Sequence, residues 1–287
     1  HHLEEPFLST SQFAQHLVMG LAAENGVIVL LDGQGADEIL AGYRPYFLTR
    51  YADLAEGRRL LTLWRERRGF RSRHARAFPL SAKALLVRLL PRRRAPGLPF
   101  WEAMAGWWQP DWRQSFAAER PRGLPASHRD GLTRRLYADT MQGELQELLR
   151  YGDRNSMAWS REVRQPFLDH RLAELLFALP PEHKLRDGES KVLLRRAMRG
   201  LVPPTILARQ DKLGYQAPLL SWLRGPLASW AAARLEDAAA VLGPRLGSDL
   251  PARWRAAAPH ATTGDAEGLF ALLTLAETTR QGLGMSP

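Results

Sequence analysis

The sequence contains no cysteine and no long uninterrupted hydrophobic run. The lack of cysteine excludes a disulfide scaffold, a cysteine-ligated zinc site and a thiol nucleophile within these 287 residues. A purely apolar run such as residues 27–31 has only five residues and is far too short to cross a bilayer. With 45% hydrophobic residues the chain can build a large core. We therefore expect a globular protein that has no membrane partner and resides in the reducing cytoplasm.

Acidic residues are scarce in one basic stretch. Residues 58–94 hold thirteen Arg and Lys and a single acid, Glu66, so this stretch carries +12 while the whole chain carries +10. The rest of the chain is therefore nearly neutral. Domains that bind nucleic acid usually spread positive charge over an organised face with aromatic platforms, whereas this stretch is interrupted by prolines. We interpret residues 50–130, approximately, as an Arg-rich, variable and solvated insertion and do not expect nucleic acid as a partner. A surface for an anionic partner is the alternative.

A helix, a strand, a glycine-rich acidic loop and a second helix follow one another near the beginning of the sequence. Residues 27–31 are apolar and mostly β-branched, which is typical of a strand covered on both faces in a parallel α/β sheet. The loop that follows, residues 32–37, reads Asp-Gly-Gln-Gly-Ala-Asp. Ligands of such sheets bind at the carboxyl ends of strands, which is where this loop would lie.

The residue types of this loop suit a nucleotide phosphate. Gly33 and Gly35 would let the backbone approach a phosphate, free N–H groups ahead of the next helix would attract it, and Asp37 could hold Mg²⁺ against it. The loop matches neither the dinucleotide fingerprint nor the Walker loop. Taken alone, the loop could equally be a structural turn that caps a helix.

Two later segments of the sequence contain charged residues that could belong to a functional site. Glu162 and Arg164 precede the sequence Pro-Phe-Leu-Asp, and Lys191 lies at the start of a short basic helix. Glu162 and Arg164 could equally be an exposed ion pair of little energetic weight, and Lys191 could be an ordinary surface residue. None of these features identifies an enzyme by itself.

Taken together and in this order, the motifs resemble those of the glutamine-dependent asparagine synthetases. Residues 31–43 resemble the strand, acidic loop and helix of that family, a motif that ends in Gly-Gly-Tyr. Residues 154–158 and 162–169 are similar to its Met-Ala and Glu-Ala-Arg-x-Pro-Phe-Leu-Asp signatures. The similarity continues through Lys191 to residue 223, so it covers about residues 4–50 and 130–225.

The resemblance implies an α/β fold with an incomplete Rossmann-like parallel sheet of the ATP-pyrophosphatase (adenine nucleotide alpha hydrolase-like) type and a large helical remainder. Residues 1–287 would be part of the C-terminal synthetase domain. We expect an N-terminal glutaminase domain and a Ser-Gly-Gly-x-Asp-Ser pyrophosphate loop to be missing from this sequence, which would make it an N-terminally truncated fragment with weak or no activity alone. A homodimer is one assembly that the family allows.

The resemblance also implies a role for each candidate residue. ATP and Mg²⁺ are the expected cofactors, and aspartate and glutamine-derived ammonia are the expected substrates of an asparagine-forming ligase. Asp32, Gly33 and Gly35 would contact ATP, and Asp37 would bind Mg²⁺. Lys191 would stabilise charge at the α-phosphate, Glu162 would orient or deprotonate the attacking amine, and Arg164 would contact a substrate carboxylate or phosphate.

Gln34 departs from the family pattern, because many asparagine synthetases have Glu or Asp at this position. An amide cannot act as a base at neutral pH, so Gln34 would take part in catalysis only by orienting substrate. Three functions remain open: asparagine synthesis, a related amidotransferase or lactam-forming synthetase with another carboxylate substrate, and a noncatalytic module that binds anions or nucleic acid.

Overall fold

A computed structural model describes residues 2–7, 9–74, 130–210, 217–242 and 250–282. The helices within these ranges are α1 Thr10–Glu24, α2 Ala36–Ile39, α3 Pro45–Glu56, α4 Leu60–Arg73, α5 Gly131–Met141, α6 Glu144–Met157, α7 His170–Ala178, α8 Val192–Ala197, α9 Pro204–Leu207, α10 Leu219–Arg224, α11 Ala228–Leu242, α12 Leu250–Ala257 and α13 Thr263–Arg280. The strands are β1 Val29–Leu31, β2 Glu162–Arg164, β3 Leu185–Arg186 and β4 Glu189–Ser190. This mostly helical α/β structure agrees with the coarse prediction, and the ATP-pyrophosphatase type remains a prediction.

The predicted parallel sheet is present as one pair of strands in the described residues. Strands β1 and β2 run parallel, with Val29 beside Glu162 and Leu31 beside Arg164. The backbone N–H of Asp32 extends this ladder by donating to the Arg164 carbonyl, at 2.9 Å. The pairing therefore brings the acidic loop and the segment after β2 to the same edge of the sheet.

The expectation that the first strand is covered on both faces is wrong for the described part of the chain. Ile28 and Leu31 are 66% and 75% exposed, and only the central Leu30 of the three strand residues is half-buried. Burial of both faces needs layers above and below the sheet, and the described residues provide too little of either. Strand β2 was not predicted, because two of its three residues are charged.

The helices at the end of the described chain form their own apolar core. Side chains of α10, α11, α12 and α13 pack together, and the buried members include Leu223, Leu235, Trp254, Leu269 and Leu272. Helix α13 begins with a capping box in which Thr262 and Asp265 each satisfy the other's backbone N–H. Among the described helices none is long and apolar enough to span a membrane.

Helices α3, α4 and α5 surround a second core. Its buried members include Phe47, Tyr51, Phe70, Leu132 and Leu136. The expectation of a solvated insertion is therefore wrong for the inner face of α4, where Phe70 and Glu66 are buried while most of the arginines point outwards. Residues 75–129 of the predicted insertion lie outside the described residues, and the proposed insertion boundaries stay a prediction.

A carboxylate from α3 caps the start of α5. The two carboxylate oxygens of Asp53 accept hydrogen bonds from the backbone N–H groups of Gly131, at 2.9 Å, and Leu132, at 2.8 Å. The Asp130 side chain accepts a third, from Thr133, at 2.7 Å. Three of the four N–H groups that a helix leaves unpaired at its start are thereby satisfied.

The β3–β4 hairpin lies directly on α4. A Cβ atom at Gly69 would overlap the backbone of Asp187, and one at Gly188 would overlap the backbone of Phe70. Gly188 also has φ +77°, in the left-handed region that favours glycine. Two glycines therefore allow helix and hairpin to touch backbone to backbone, and the hairpin leads straight into Lys191.

Lys184, immediately before this hairpin, is a fully buried lysine. Its Nζ donates to the Leu179 carbonyl at 2.9 Å. Burial lowers the pKa of Lys184 to about 8, and the nearby carboxylates of Asp130 and Glu182 limit the decrease. The charged form of this side chain is therefore destabilised in the folded protein.

We expect the chain to become more stable as the pH rises above 8, because of Lys184. The unfolded lysine keeps its proton up to about pH 10.5, so between the two pKa values the unfolded state binds more protons. The free energy of unfolding should increase by roughly 1–2 kcal/mol between pH 7.5 and 9.5. Urea titrations at each pH measure this increase. The Lys184→Met variant should lack it, and an equal increase in that variant would show that other groups cause it.

Candidate functional site

The acidic loop connects the end of β1 to the start of α2, and one of its glycines is required by geometry. Gly35 precedes α2 with φ +85°, a conformation that L-residues rarely adopt. A Cβ atom at this position would also overlap the Leu168 side chain. Leu168 belongs to the Pro-Phe-Leu-Asp segment after β2, so Gly35 lets the two motifs pack against each other. The assignment of Gly35 to ATP binding stays a prediction.

Asp37 and Lys191, which the sequence places far apart, form an ion pair. Lys191 Nζ lies 2.8 Å from Asp37 Oδ1, and each side chain is 26% exposed. Asp37 sits in the first turn of α2, and Lys191 directly precedes α8 with φ +54°. A left-handed backbone at a residue other than glycine is uncommon and often marks a functional position. The hairpin and this backbone conformation together bring the ammonium group to the carboxylate.

Gly42 makes room for this ion pair. A Cβ atom at Gly42 would overlap Asp37 Oδ1 and would lie 2.5 Å from Lys191 Cε. The Gly42 N–H also donates to the Asp37 carbonyl at 2.8 Å. Gly42 was not among the predicted site residues, although it belongs to the Ala-Gly-Tyr end of the first motif. That motif was the only feature of the sequence that could have identified Gly42 as a site residue.

Glu38 and Tyr43 support the loop from the core side. Glu38 is buried, and the Tyr43 hydroxyl donates to Glu38 Oε1 at 2.8 Å. A buried carboxylate requires such partners. This hydrogen bond ties Tyr43 to the last turn of α2 and was not predicted from the sequence.

Glu162 and Arg164 form the second predicted pair. Residues two apart on a strand share a face, and Arg164 Nε donates to Glu162 Oε1 at 2.7 Å. Their side chains are 54% and 63% exposed, so this contact contributes little to stability and both groups can exchange it for another partner. The Arg164 carbonyl holds Asp32 in place, which connects this pair to the acidic loop.

The remaining loop residues border open space. Asp32 and Gln34 are half-buried and Gly33 is exposed. A Cβ atom at Gly33 would meet no other atom of the described residues within 4 Å. Within that part of the chain nothing requires glycine at position 33, in contrast to position 35, and the space beside Gly33 is free for a ligand.

Asp169, the last residue of the second motif, has a structural role. Its carboxylate accepts a hydrogen bond from the backbone N–H of Arg171, at 2.9 Å, and so caps α7. The Arg171 guanidinium donates to both carboxylate oxygens. These hydrogen bonds hold the pKa of Asp169 well below its usual range.

Two cavities lie away from these residues. A cavity of about 440 Å³ is bordered by residues 3–7 and by helices α11 and α13, and no predicted site residue lines it. A smaller cavity of about 260 Å³ lies between α3, α4 and the β3–β4 hairpin. The candidate residues therefore lie on open surface rather than in either cavity. Asp32–Asp37, Gly42 and Lys191 lie at the end of β1, Arg164 ends the neighbouring strand β2, and Glu162 lies at the start of β2.

Comparison with known proteins adds independent information about the chain. The sequence model described as asparagine synthase matches residues 1–276. The glutamine-hydrolysing asparagine synthetase 1 of Bacillus subtilis is 26% identical over 242 residues, which cover 80% of this chain and 37% of that protein. A putative glutamine-hydrolysing asparagine synthetase of Mycobacterium tuberculosis is 31% identical over 239 residues, 76% of this chain and 35% of that protein.

A third relative bears a different name. The amidase chyE of Penicillium rubens is 27% identical over 237 residues, which cover 70% of this chain and 34% of that protein. The matched part of the chain thus spans about a third of the length of each of these three relatives. No solved structure matches it.

Proposed function

This chain belongs to the asparagine synthase family, and from that premise we propose that it takes part in the ATP-dependent conversion of a side-chain carboxylate into an amide. The proposed carboxylate is that of aspartate, and the proposed amine is ammonia released from glutamine by an N-terminal domain outside this sequence. The observation that carries the proposal is the 2.8 Å contact between Asp37 and Lys191, because it joins two motifs that resemble those of the family.

The proposed reaction has two steps. In the first, a carboxylate oxygen of aspartate attacks the α-phosphorus of ATP, the bond to the β-phosphate breaks and pyrophosphate leaves. In the second, ammonia attacks the activated acyl carbon and loses a proton, and AMP leaves with the former carboxylate oxygen. The product is asparagine.

Lys191 is the residue proposed to stabilise the first step. Its ammonium group is a compact point charge held on a strained backbone, and it already contacts a carboxylate. Negative charge that develops on the α-phosphate as pyrophosphate leaves would be stabilised by such a positioned cation. ATP would draw the ammonium group from Asp37 towards the phosphate.

Asp37 is the residue proposed to hold Mg²⁺. Within the described ranges no group of three or more His, Cys, Asp or Glu side chains is arranged to hold a metal ion. Mg²⁺ is commonly bound by one or two carboxylates together with substrate phosphates, so one carboxylate at the strand ends fits that ion once a nucleotide is present. Bound Mg²⁺ would neutralise phosphate charge.

Glu162 and Arg164 are proposed to act on the acyl substrate and the amine. Arg164 ends β2 beside the loop, Glu162 begins β2 beside Val29, and the contact between these two exposed side chains is exchangeable. The Arg164 guanidinium could bind a carboxylate or phosphate through two parallel hydrogen bonds. The Glu162 carboxylate would orient the attacking amine and accept its proton. Asp32 and Gly33 would border the nucleotide.

Gln34 favours a second candidate function, a related amidotransferase or lactam-forming synthetase. Its amide can donate and accept hydrogen bonds but cannot remove a proton. A carboxylate substrate other than aspartate, or an amine other than ammonia, would then be positioned by Gln34 while Glu162 serves as the base. Adenylation by Lys191 and Asp37 would be common to both candidates.

Pyrophosphate release tests the proposal on the full-length protein that carries this sequence. With ATP, Mg²⁺, aspartate and ammonium chloride we expect equal amounts of pyrophosphate, AMP and asparagine. The Asp37→Asn variant should lose most of this activity, because the amide binds Mg²⁺ weakly. The Asp237→Asn variant is the matched control, since Asp237 is an exposed acid on α11 paired with Arg234.

Each result has a defined meaning. Pyrophosphate release with another carboxylate but not with aspartate would replace asparagine synthesis by the second candidate. The lack of pyrophosphate release with any carboxylate substrate would contradict both candidates and leave a noncatalytic binding module.

A further inference from the structure

The 260 Å³ cavity between α3, α4 and the β3–β4 hairpin has an unusual lining. Four arginines and three acids surround it, namely Arg50, Arg59, Arg65, Arg186, Glu66, Glu182 and Asp187. It lies on the side of the hairpin that faces α4. None of the residues assigned to the proposed amide-forming site lines it.

The innermost arginine lacks a hydrogen bond that its burial calls for. Arg50 is 4% exposed, and its Nε–H has no hydrogen-bond partner. The nearest carboxylate contacts are Arg50 Nε to Glu66 Oε1 at 3.8 Å and Arg50 Nη2 to Glu182 Oε1 at 3.7 Å. These separations exceed hydrogen-bond length. A buried guanidinium with an unmet donor is costly, so a ligand with an oxygen acceptor would stabilise it.

One oxygen of the acid beside it also lacks a hydrogen-bond partner. Glu66 is 2% exposed, its Oε2 has no hydrogen-bond partner, and the residue lines the cavity. Burial raises the pKa of Glu66, and Arg50 and the backbone N–H groups of Asp187 and Gly188 limit that increase. The cavity thus presents an unmet donor and an unmet acceptor side by side.

We propose that this cavity binds hydrogen phosphate. The ion carries oxygens that would accept from Arg50 and from the arginines at the mouth, Arg59 and Arg186, together with one P–OH group that would donate to Glu66 Oε2. Arginine guanidinium groups bind phosphate through paired, charge-assisted hydrogen bonds. Sulfate has the same shape but no O–H at neutral pH, so its oxygens would face the Glu66 carboxylate without a proton between them.

Calorimetric titration of the full chain at pH 8 and constant ionic strength tests the site. Inorganic phosphate and sulfate are the two probes. We expect phosphate to bind at one site and sulfate to bind at least about tenfold more weakly, which corresponds to about 1.4 kcal/mol. Equal binding of the two ions, or no binding of either, would overturn the proposal.

Two variants separate the site from general attraction to a basic protein. Arg59 and Arg186 are more than half exposed, so the double variant Arg59→Gln, Arg186→Gln should fold and should bind phosphate at least about tenfold more weakly. Arg134→Gln, on exposed α5 surface, is the control that removes a charge elsewhere. Unchanged phosphate affinity in the double variant would contradict the site.

Substitution of Glu66 provides the sharpest outcome. In the Glu66→Gln variant a neutral amide of the same shape replaces the carboxylate and can donate to an oxyanion. We expect sulfate to bind this variant about as tightly as phosphate does, whereas a purely structural role of Glu66 would leave the preference for phosphate intact. All of these readouts are binding constants, so they are independent of whether the amide-forming function is correct.

Discussion

Replacing Lys191 by methionine is expected to lower pyrophosphate release by about 10²- to 10³-fold, the usual effect of removing one preorganised group that stabilises developing charge. Methionine fills nearly the same volume but has no ammonium group to place at the α-phosphate. It also keeps a Cβ atom, so the left-handed backbone at φ +54° is as uncommon after the substitution as before it. The loss should therefore come from the missing charge.

Steady-state pyrophosphate release and thermal unfolding, measured on the same preparation, check this result. Arg196→Met is the matched control, because Arg196 is an exposed cation on α8, the short helix that directly follows Lys191. We expect that control to keep nearly full activity, and both variants to melt close to the unmodified protein. Near-normal pyrophosphate release by the Lys191 variant would remove Lys191 from the site.

Replacing Gly42 by alanine should reduce pyrophosphate release nearly as much as replacing Lys191 by methionine, although the change adds only one methyl group. The added Cβ would occupy the space of the Asp37–Lys191 contact, so both side chains must move away from their present positions. Overpacking of this kind typically costs about 1–3 kcal/mol. Misplacement of both Asp37 and Lys191 should reduce pyrophosphate release by about 10²-fold, since errors near 1 Å can have effects of that size.

Gly152→Ala provides the comparison for this variant. Gly152 lies within α6, and a Cβ atom there would meet only the Gln15 amide at an ordinary 3.7 Å. Alanine favours helix, so this control should be as stable as the original chain or slightly more so. If Gly42→Ala had the activity of the control, the ion pair would not require the space that Gly42 leaves.

The sequence allowed part of the site to be predicted because its signals are local. A strand followed by an acidic glycine loop placed Asp32 and Asp37 at the end of a sheet, and the pairing of β1 with β2 agrees with the expected parallel arrangement. Lys191 was selected through the resemblance, and the structure places it against Asp37. The roles of all these residues in binding and catalysis stay predictions.

The contacts that escaped prediction are long-range. Nothing near Gly42 in the sequence indicates that Lys191 will pass beside it, and nothing near Gly69 indicates that a hairpin turn will rest on α4. Strand β2 lacks the apolar alternation by which strands are recognised in a sequence. Its conformation is determined by pairing with β1 and by its position in the sheet. The burial of β1 was overestimated for a related reason, since burial depends on what packs against a strand.

The cap that Asp53 forms on α5 couples the local unfolding of α3 to that of α5. The first two N–H groups of that helix are satisfied by a side chain 78 and 79 residues earlier in the chain, so the helix start is fully hydrogen-bonded only while α3 is docked against it. Neither helix can separate without exposing the other's polar groups. Helices α3 and α5 therefore form one cooperative unit of local unfolding, although more than seventy residues of chain lie between them.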